Sequence, residues 1–224
     1  GRKILPERAL EITSGVLAAL DYSHRAGIVH RDIKPANVML CMRAGVPDMV
    51  KVLDFGLVKE LATDPEEAEL SAIGVVVGTP AYLSPEAIED PASVDARSDL
   101  YALGAVGYFL LTGKPIYEGK SVVSTCVQHL SSEPVRPSNR LGAPLPSDIE
   151  ELVLQCLEKN PADRPRDAMA LAKALTGCGC AAEWTDEQAR SWWLAHQTDT
   201  VTMSIDLSRR TAGDSGEDKR STAG

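Results

Sequence analysis

His30-Arg31-Asp32-Ile33-Lys34-Pro35-Ala36-Asn37, followed downstream by Asp54-Phe55-Gly56, is the stretch on which the reading of this chain turns. Two carboxylates, an amide and a lysine lie between short apolar runs. Asp32, Asn37 and Asp54 offer oxygen ligands at two neighbouring strand ends. A hard cation such as Mg²⁺ takes such ligands together with phosphate oxygens and water. Lys34 is two residues from Asp32, so in extended backbone both side chains face one pocket. Taken singly, each would be a solvated surface group; taken together they leave that reading little room.

Leu5, Ala9, Ile12, Val16, Ala19 and Leu20 recur at helical spacing and predict a helix over 5–26, with Pro6 in its first turn and Gly27 closing it. Ile28-Val29, Val38-Met39-Leu40 and Val50-Lys51-Val52-Leu53 are too short for helices and predict strands. Residues 61–80, with an acidic stretch and two glycines, predict a long loop. Helical patterns return at 97–112, 119–130, 147–158 and 167–176. Residues 185–196 predict one more helix, with Thr185 as its cap and Trp192-Trp193 near its end. The Ser-, Thr- and Gly-rich end predicts a disordered polar tail. The expected layout is therefore 1–177 as one mainly α domain with short strands around the polar string, 178–197 as a short helical extension, and 198–224 as the tail.

Composition bounds the function. The chain has 224 residues and a formal net charge of −9, which argues against a nucleic-acid or anionic-membrane binder. Aromatics are only 4%, so Leu, Val, Ile and Ala must build the core. Five cysteines without framework spacing fit reduced thiols in a cytoplasmic setting. Cys178-Gly-Cys180 reads as an inert surface pair. The longest apolar run, Leu100–Leu111, is shorter than the ~20 residues a membrane span needs. The start at Gly1-Arg2-Lys3 reads as an internal cut, and a membrane anchor elsewhere in a longer chain stays open.

A carboxylate that orients a hydroxyl, beside cations that neutralise phosphate oxygens, is what phosphoryl transfer requires. At this point a resemblance becomes visible. His30 to Asn37 is similar to the catalytic loop of protein kinases, and Asp54-Phe55-Gly56 to their metal-binding triplet. Lys34-Pro35 is the serine/threonine form of that loop. Gly78-Thr79-Pro80-Ala81-Tyr82-Leu83-Ser84-Pro85-Glu86 resembles the end of the kinase activation segment, with Ser84 as a small-residue variant of its A-P-E triplet. The overall style resembles bacterial eukaryotic-like (Hanks-type) kinases.

The resemblance implies ATP and Mg²⁺ as cofactors and protein Ser/Thr hydroxyls as acceptors. It implies that Asp32 takes or orients the hydroxyl proton, Lys34 contacts the transferring phosphate, and Asn37 and Asp54 hold magnesium. Met39 would pack beneath the nucleotide. Thr79 would hydrogen-bond towards Asp32 and Lys34. Arg31 would read a phosphate on the activation loop, with Ser71 the preferred site over Thr63 and Thr79. Glu86 would pair with Arg164. Asp99 would accept backbone N–H groups near His30 and Arg31. His30, Phe55 and Gly56 would be structural. No glycine-rich loop, strand lysine or helix glutamate precedes His30. The expected fold is thus a kinase C-terminal lobe with its N-terminal lobe absent, and the isolated chain is expected to be a weak enzyme. A non-catalytic kinase-like interaction module is the second reading; the joint presence of Asp32, Asn37 and Asp54 weighs against it.

Overall fold

The computed structural model describes residues 4–55 and 79–206. They fall into two units, Gly1–Thr185 and Asp186–Gly224, so the first unit ends later than residue 177. Helix α1 (Pro6–Arg25) starts on Pro6, whose missing N–H costs a first turn nothing. Its stripe of Val16, Leu17 and Leu20 is fully buried. Helix α3 (Ala96–Thr112) is capped by the Asp95 carboxylate, which accepts from the Arg97 N–H, and ends on left-handed Gly113. Leu100 to Tyr108 are buried on every side, the mark of a central core helix. Two close approaches fix the layers. A Cβ on Gly15 of α1 would lie 2.5 Å from Val50, and one on Gly104 of α3 would lie 2.6 Å from Cys156.

Strands β1 (Val38–Arg43) and β2 (Val46–Val52) form an antiparallel hairpin, with Val38 opposite Val52. Its two-residue turn, Ala44-Gly45, has positive φ at both positions, as a type I′ turn requires. The register shifts between Cys41 and Arg43, and Asp48 adopts φ 51 at this irregularity. That bend presents the Asp48 carboxylate to buried Arg8 on α1 in a bidentate pair, and to the Trp184 indole N–H at 2.9 Å.

Ile28-Val29 is not a strand. The Ile28 N–H bonds back to the Ser23 carbonyl at the end of α1, and the His30 N–H goes to a side chain. These donors are therefore spent before a ladder can form. Helix α4 (Val122–Ser131) starts later than residue 119, because Ser121 and Ser124 form a reciprocal capping box. Two short helices escape periodicity: α2 (Pro85–Glu89), capped by Ser84, and α5 (Pro137–Leu141). Helices α6 (Ser147–Cys156) and α7 (Ala168–Thr176) complete the first unit. Cys178 and Cys180 are free but buried rather than on the surface, and burial pushes the Cys178 thiol up to about 11. They pack in the core just past α7.

In the second unit, α8 (Asp186–Asp206) runs past residue 197, so 198–206 are helical where a disordered tail was expected. Trp192 stacks on His196 at 4.2 Å and meets Trp193 edge-on. Residues 207–224 lie outside the described residues. Among the described residues, no helix is long and apolar enough to cross a membrane.

Two buried polar clusters brace α3. In the first, Arg164 meets Glu86 through two parallel bonds of 2.7 and 2.8 Å. Its remaining N–H groups reach the carbonyls of Arg97, Glu158 and Lys159. All five guanidinium donors are thus satisfied. Burial pushes the Glu86 carboxyl up, but Arg164 and the Ser98 hydroxyl outweigh it and hold it below the usual carboxylate range. In the second, His129 of α4 is fully buried between Tyr101 and Tyr117, and its Nδ1 meets the Tyr101 hydroxyl at 2.8 Å. Burial, with Lys159 nearby, pushes the imidazole down to about 4.

Removing one partner of a buried, saturated ion pair costs about 3–5 kcal/mol. Urea unfolding of Arg164→Ala should show a loss of that size, and a loss below about 1 kcal/mol would contradict the anchor. His129 sets a pH dependence. Its unfolded form binds a proton near pH 6.5 that the folded form rejects down to about 4. Stability should therefore fall as pH drops through this window, by up to ~1.4 kcal/mol per pH unit. His129→Gln should remove that share of the slope.

Candidate active site

One carboxylate places the polar string. Asp99, in the first turn of α3, is 1% exposed. Its Oδ2 accepts from the His30 N–H at 2.8 Å and from His24 Nε2 at 2.7 Å, and its Oδ1 accepts from the Arg31 N–H at 2.8 Å. Arg31 sits at φ 65, a conformation a non-glycine residue keeps only when its surroundings impose it. Hydrogen bonds to a charged acceptor supply that constraint.

His30 laces this loop to the next. It is fully buried, and its Nδ1 accepts from the Asp32 N–H at 3.2 Å. Nε2 therefore carries the proton and donates to the Leu53 carbonyl at 2.9 Å. The ring lies 4.6 Å from Phe55. The Leu53 N–H donates to the Asn37 carbonyl at 2.9 Å. Both backbone groups of Leu53 are thus tied to the first loop, and Asp54 follows directly with φ 56 and an exposed side chain.

Within the string, the 3₁₀ turn Pro35–Asn37 folds Asn37 back on Asp32. The Asn37 amide nitrogen donates to the Asp32 carbonyl at 2.8 Å and to its Oδ2 at 3.0 Å. That commits the nitrogen, and the network assigns the amide oxygen as the end left to accept or ligate. Lys34 Nζ meets the same Oδ2 at 2.7 Å. Both side chains of that pair are partly exposed, so solvent screens their attraction and its value lies in orientation. Met39, on β1, is 46% exposed. Among the described residues, no group of three or more His, Cys, Asp or Glu is gathered around a point.

Thr79 is exposed and opens the 3₁₀ turn Pro80–Tyr82. It lines a small cleft with Arg31, Asp32 and Tyr82. The expected hydrogen bond from Thr79 to Asp32 or Lys34 is not formed; the Asp32 carboxylate is bonded to Lys34 and Asn37 instead. The Arg31 side chain is exposed on this face. Gly56, Thr63 and Ser71 lie outside the described residues. A cavity of about 800 Å³ lies elsewhere, between α6 and α7, and is lined by none of the string.

Two contributors were not singled out from the sequence. His24 donates to Asp99, and Ser98 donates to Glu86 at 2.5 Å. His24 is a lone histidine in the last turn of α1 and gives no local sign of its partner. Ser98 looks like an ordinary first-turn serine.

A family model described as the protein kinase domain matches residues 2–175. Serine/threonine-protein kinase pkn3 of Myxococcus xanthus is 44% identical over 169 residues, covering 75% of this chain and 31% of the relative. Serine/threonine-protein kinase PknB of Mycobacterium tuberculosis is 43% identical over 170 residues, covering 76% of this chain and 26% of the relative. The chain thus spans between a quarter and a third of the length of these curated relatives. The polar string and its bracing on α3 sit inside the matched region, and this chain belongs to the protein kinase family.

Proposed function

We propose that this chain is the C-terminal lobe of a serine/threonine protein kinase that moves the ATP γ-phosphoryl group to a protein hydroxyl. The observation that carries the reading is the Asp32 carboxylate held between Lys34 and Asn37 at 2.7 and 3.0 Å. Asp32 orients the acceptor hydroxyl and takes its proton as oxygen attacks the γ-phosphorus and the bond to the bridging oxygen of ADP breaks. Lys34 sets a positive charge beside the forming bond. Asn37 Oδ1 and the Asp54 carboxylate would hold Mg²⁺, whose contribution is to neutralise the phosphate oxygens. Met39 lies on the strand that runs on from this site and contacts the nucleotide.

Thr79 and the turn Pro80–Tyr82 receive the acceptor segment. Arg31 faces the same cleft and can pair with a phosphate on the intervening segment, Ser71 being the preferred position. The 224 residues contain no glycine-rich loop. The reading therefore assigns the upper grip on the nucleotide to an N-terminal lobe outside these residues. The bacterial relatives support the serine/threonine class.

Transfer of label from γ-³²P-ATP to myelin basic protein tests the proposal. The longest native chain that carries these residues should transfer, and the isolated 224 residues should do so slowly. Asp32→Asn should lower kcat by about 10²-fold or more, with the melting temperature kept. Transfer by Asp32→Asn at the unmodified rate would overturn the assignment.

A further inference from the structure

The acceptor-receiving turn Pro80–Tyr82 packs on α3 and α4, and the α4 side chain beneath it is His129. The imidazole is fully buried and firmly held from three directions. Nδ1 meets the Tyr101 hydroxyl at 2.8 Å. The Tyr117 ring stands edge-on at 4.9 Å. Lys159 Nζ donates to the His129 carbonyl at 2.8 Å and to the Tyr117 hydroxyl at 2.9 Å. The Tyr117 hydroxyl in turn donates to the Ser132 carbonyl.

This surrounding sets the tautomer. A tyrosine buried this way stays protonated, because burial pushes its pKa up. Its hydroxyl has an acceptor in Nδ1. The neutral ring then carries its proton on Nε2. Nε2 is buried and, among the described residues, has no hydrogen-bond partner at good geometry. The backbone group that acts on the ring is that of Ala81, in the middle of the turn. The turn thus lies within electrostatic reach of the ring, with no hydrogen bond formed to it. A buried donor left unmet is costly, so any inward settling of the turn is favoured.

We propose that His129 is a positioning residue for the protein acceptor: its Nε2–H bonds the Ala81 carbonyl and draws the Pro80–Tyr82 turn into the shape that receives the acceptor segment. The proposal rests on the kinase reading above and adds a residue from outside the catalytic string. The frame is shared with the segment anchor, because Arg164, which holds Glu86, also lies over the Tyr101 ring at 4.9 Å. Tyr101 therefore fixes the His129 tautomer from one edge and supports the Glu86 anchor from its face. Acceptor binding would tighten the turn, and a tightened turn would hold acceptor better.

The experiment has two arms. In the first, ¹⁵N spectra of the imidazole groups are recorded on the chain with and without myelin basic protein. The His129 ring should be the Nε2–H tautomer at neutral pH, and its Nε2 proton should move downfield on adding acceptor. An Nδ1–H tautomer, or an unmoved proton at saturating acceptor, would overturn the proposal. In the second, steady-state transfer is measured in the longest native chain. His129→Phe, which keeps a flat ring but no donor, should raise the acceptor KM roughly tenfold, the scale of one lost hydrogen bond. The KM for ATP should move less than about twofold on the same scale. His129→Gln, which retains an N–H donor, should recover part of the loss. Tyr101→Phe, which releases the tautomer without removing the imidazole, should fall between the two and covers the case in which His129→Phe does not fold. An unchanged acceptor KM in both His129→Phe and Tyr101→Phe would overturn the proposal. Absence of transfer by the unmodified protein would count against the kinase reading alone, and the spectra would then decide the role of His129.

Discussion

Everything in the polar string hangs on a buried carboxylate at the start of the most buried of the described helices. Asp99 accepts three hydrogen bonds, two of them from the consecutive backbone N–H groups of His30 and Arg31. Hydrogen bonds to a charged group each contribute about 1.5–3 kcal/mol. That is enough to hold Arg31 in a left-handed conformation whose cost is about 1–3 kcal/mol. The kink turns the chain so that Asp32 emerges beside Lys34 and Asn37. The helix N-terminus also favours the negative charge, so the anchor and the core helix support each other.

A second consequence is that the His30–Asn37 loop and the segment carrying Glu86 share one frame. Asp99 and Ser98 are adjacent in the first turn of α3. Asp99 holds the His30–Arg31 backbone, and Ser98 holds Glu86, which Arg164 clamps. The loop that carries Asp32 and the segment that carries Glu86 are referred to the same helical turn. Close packing under that turn, at Gly104 against Cys156 and at fully buried Leu100 and Leu103, makes the frame stiff.

Much of this was legible in residue order. Helices α1, α3, α6 and α7 announce themselves by periodicity and caps, and the string from His30 to Asn37 announces its chemistry by density. Ile28-Val29 looks like a strand in sequence, but β-branched residues form one only when their N–H groups have a ladder to join. Here the Ile28 donor bonds to Ser23 and that of neighbouring His30 to Asp99. The short helices at Pro85 and Pro137 were missed because they are defined by caps, with too few turns for a period. His24, Ser98 and His129 were missed for a different reason. Each acts through a partner distant in sequence, and a lone histidine or serine on a helix carries no local mark of such a partner. The burial of the Cys178-Cys180 pair leaves no local mark, because nothing nearby in sequence reports that it closes the core past α7.

Amide hydrogen exchange in Asp99→Asn tests the central constraint most directly. An asparagine keeps the size of the side chain but offers one acceptor oxygen where two are used. The account predicts that protection is lost at His30 and Arg31 while the amides of α1 and the middle of α3 keep theirs. Unchanged protection at His30 and Arg31 would show that the loop is held by something other than Asp99, and would contradict the account.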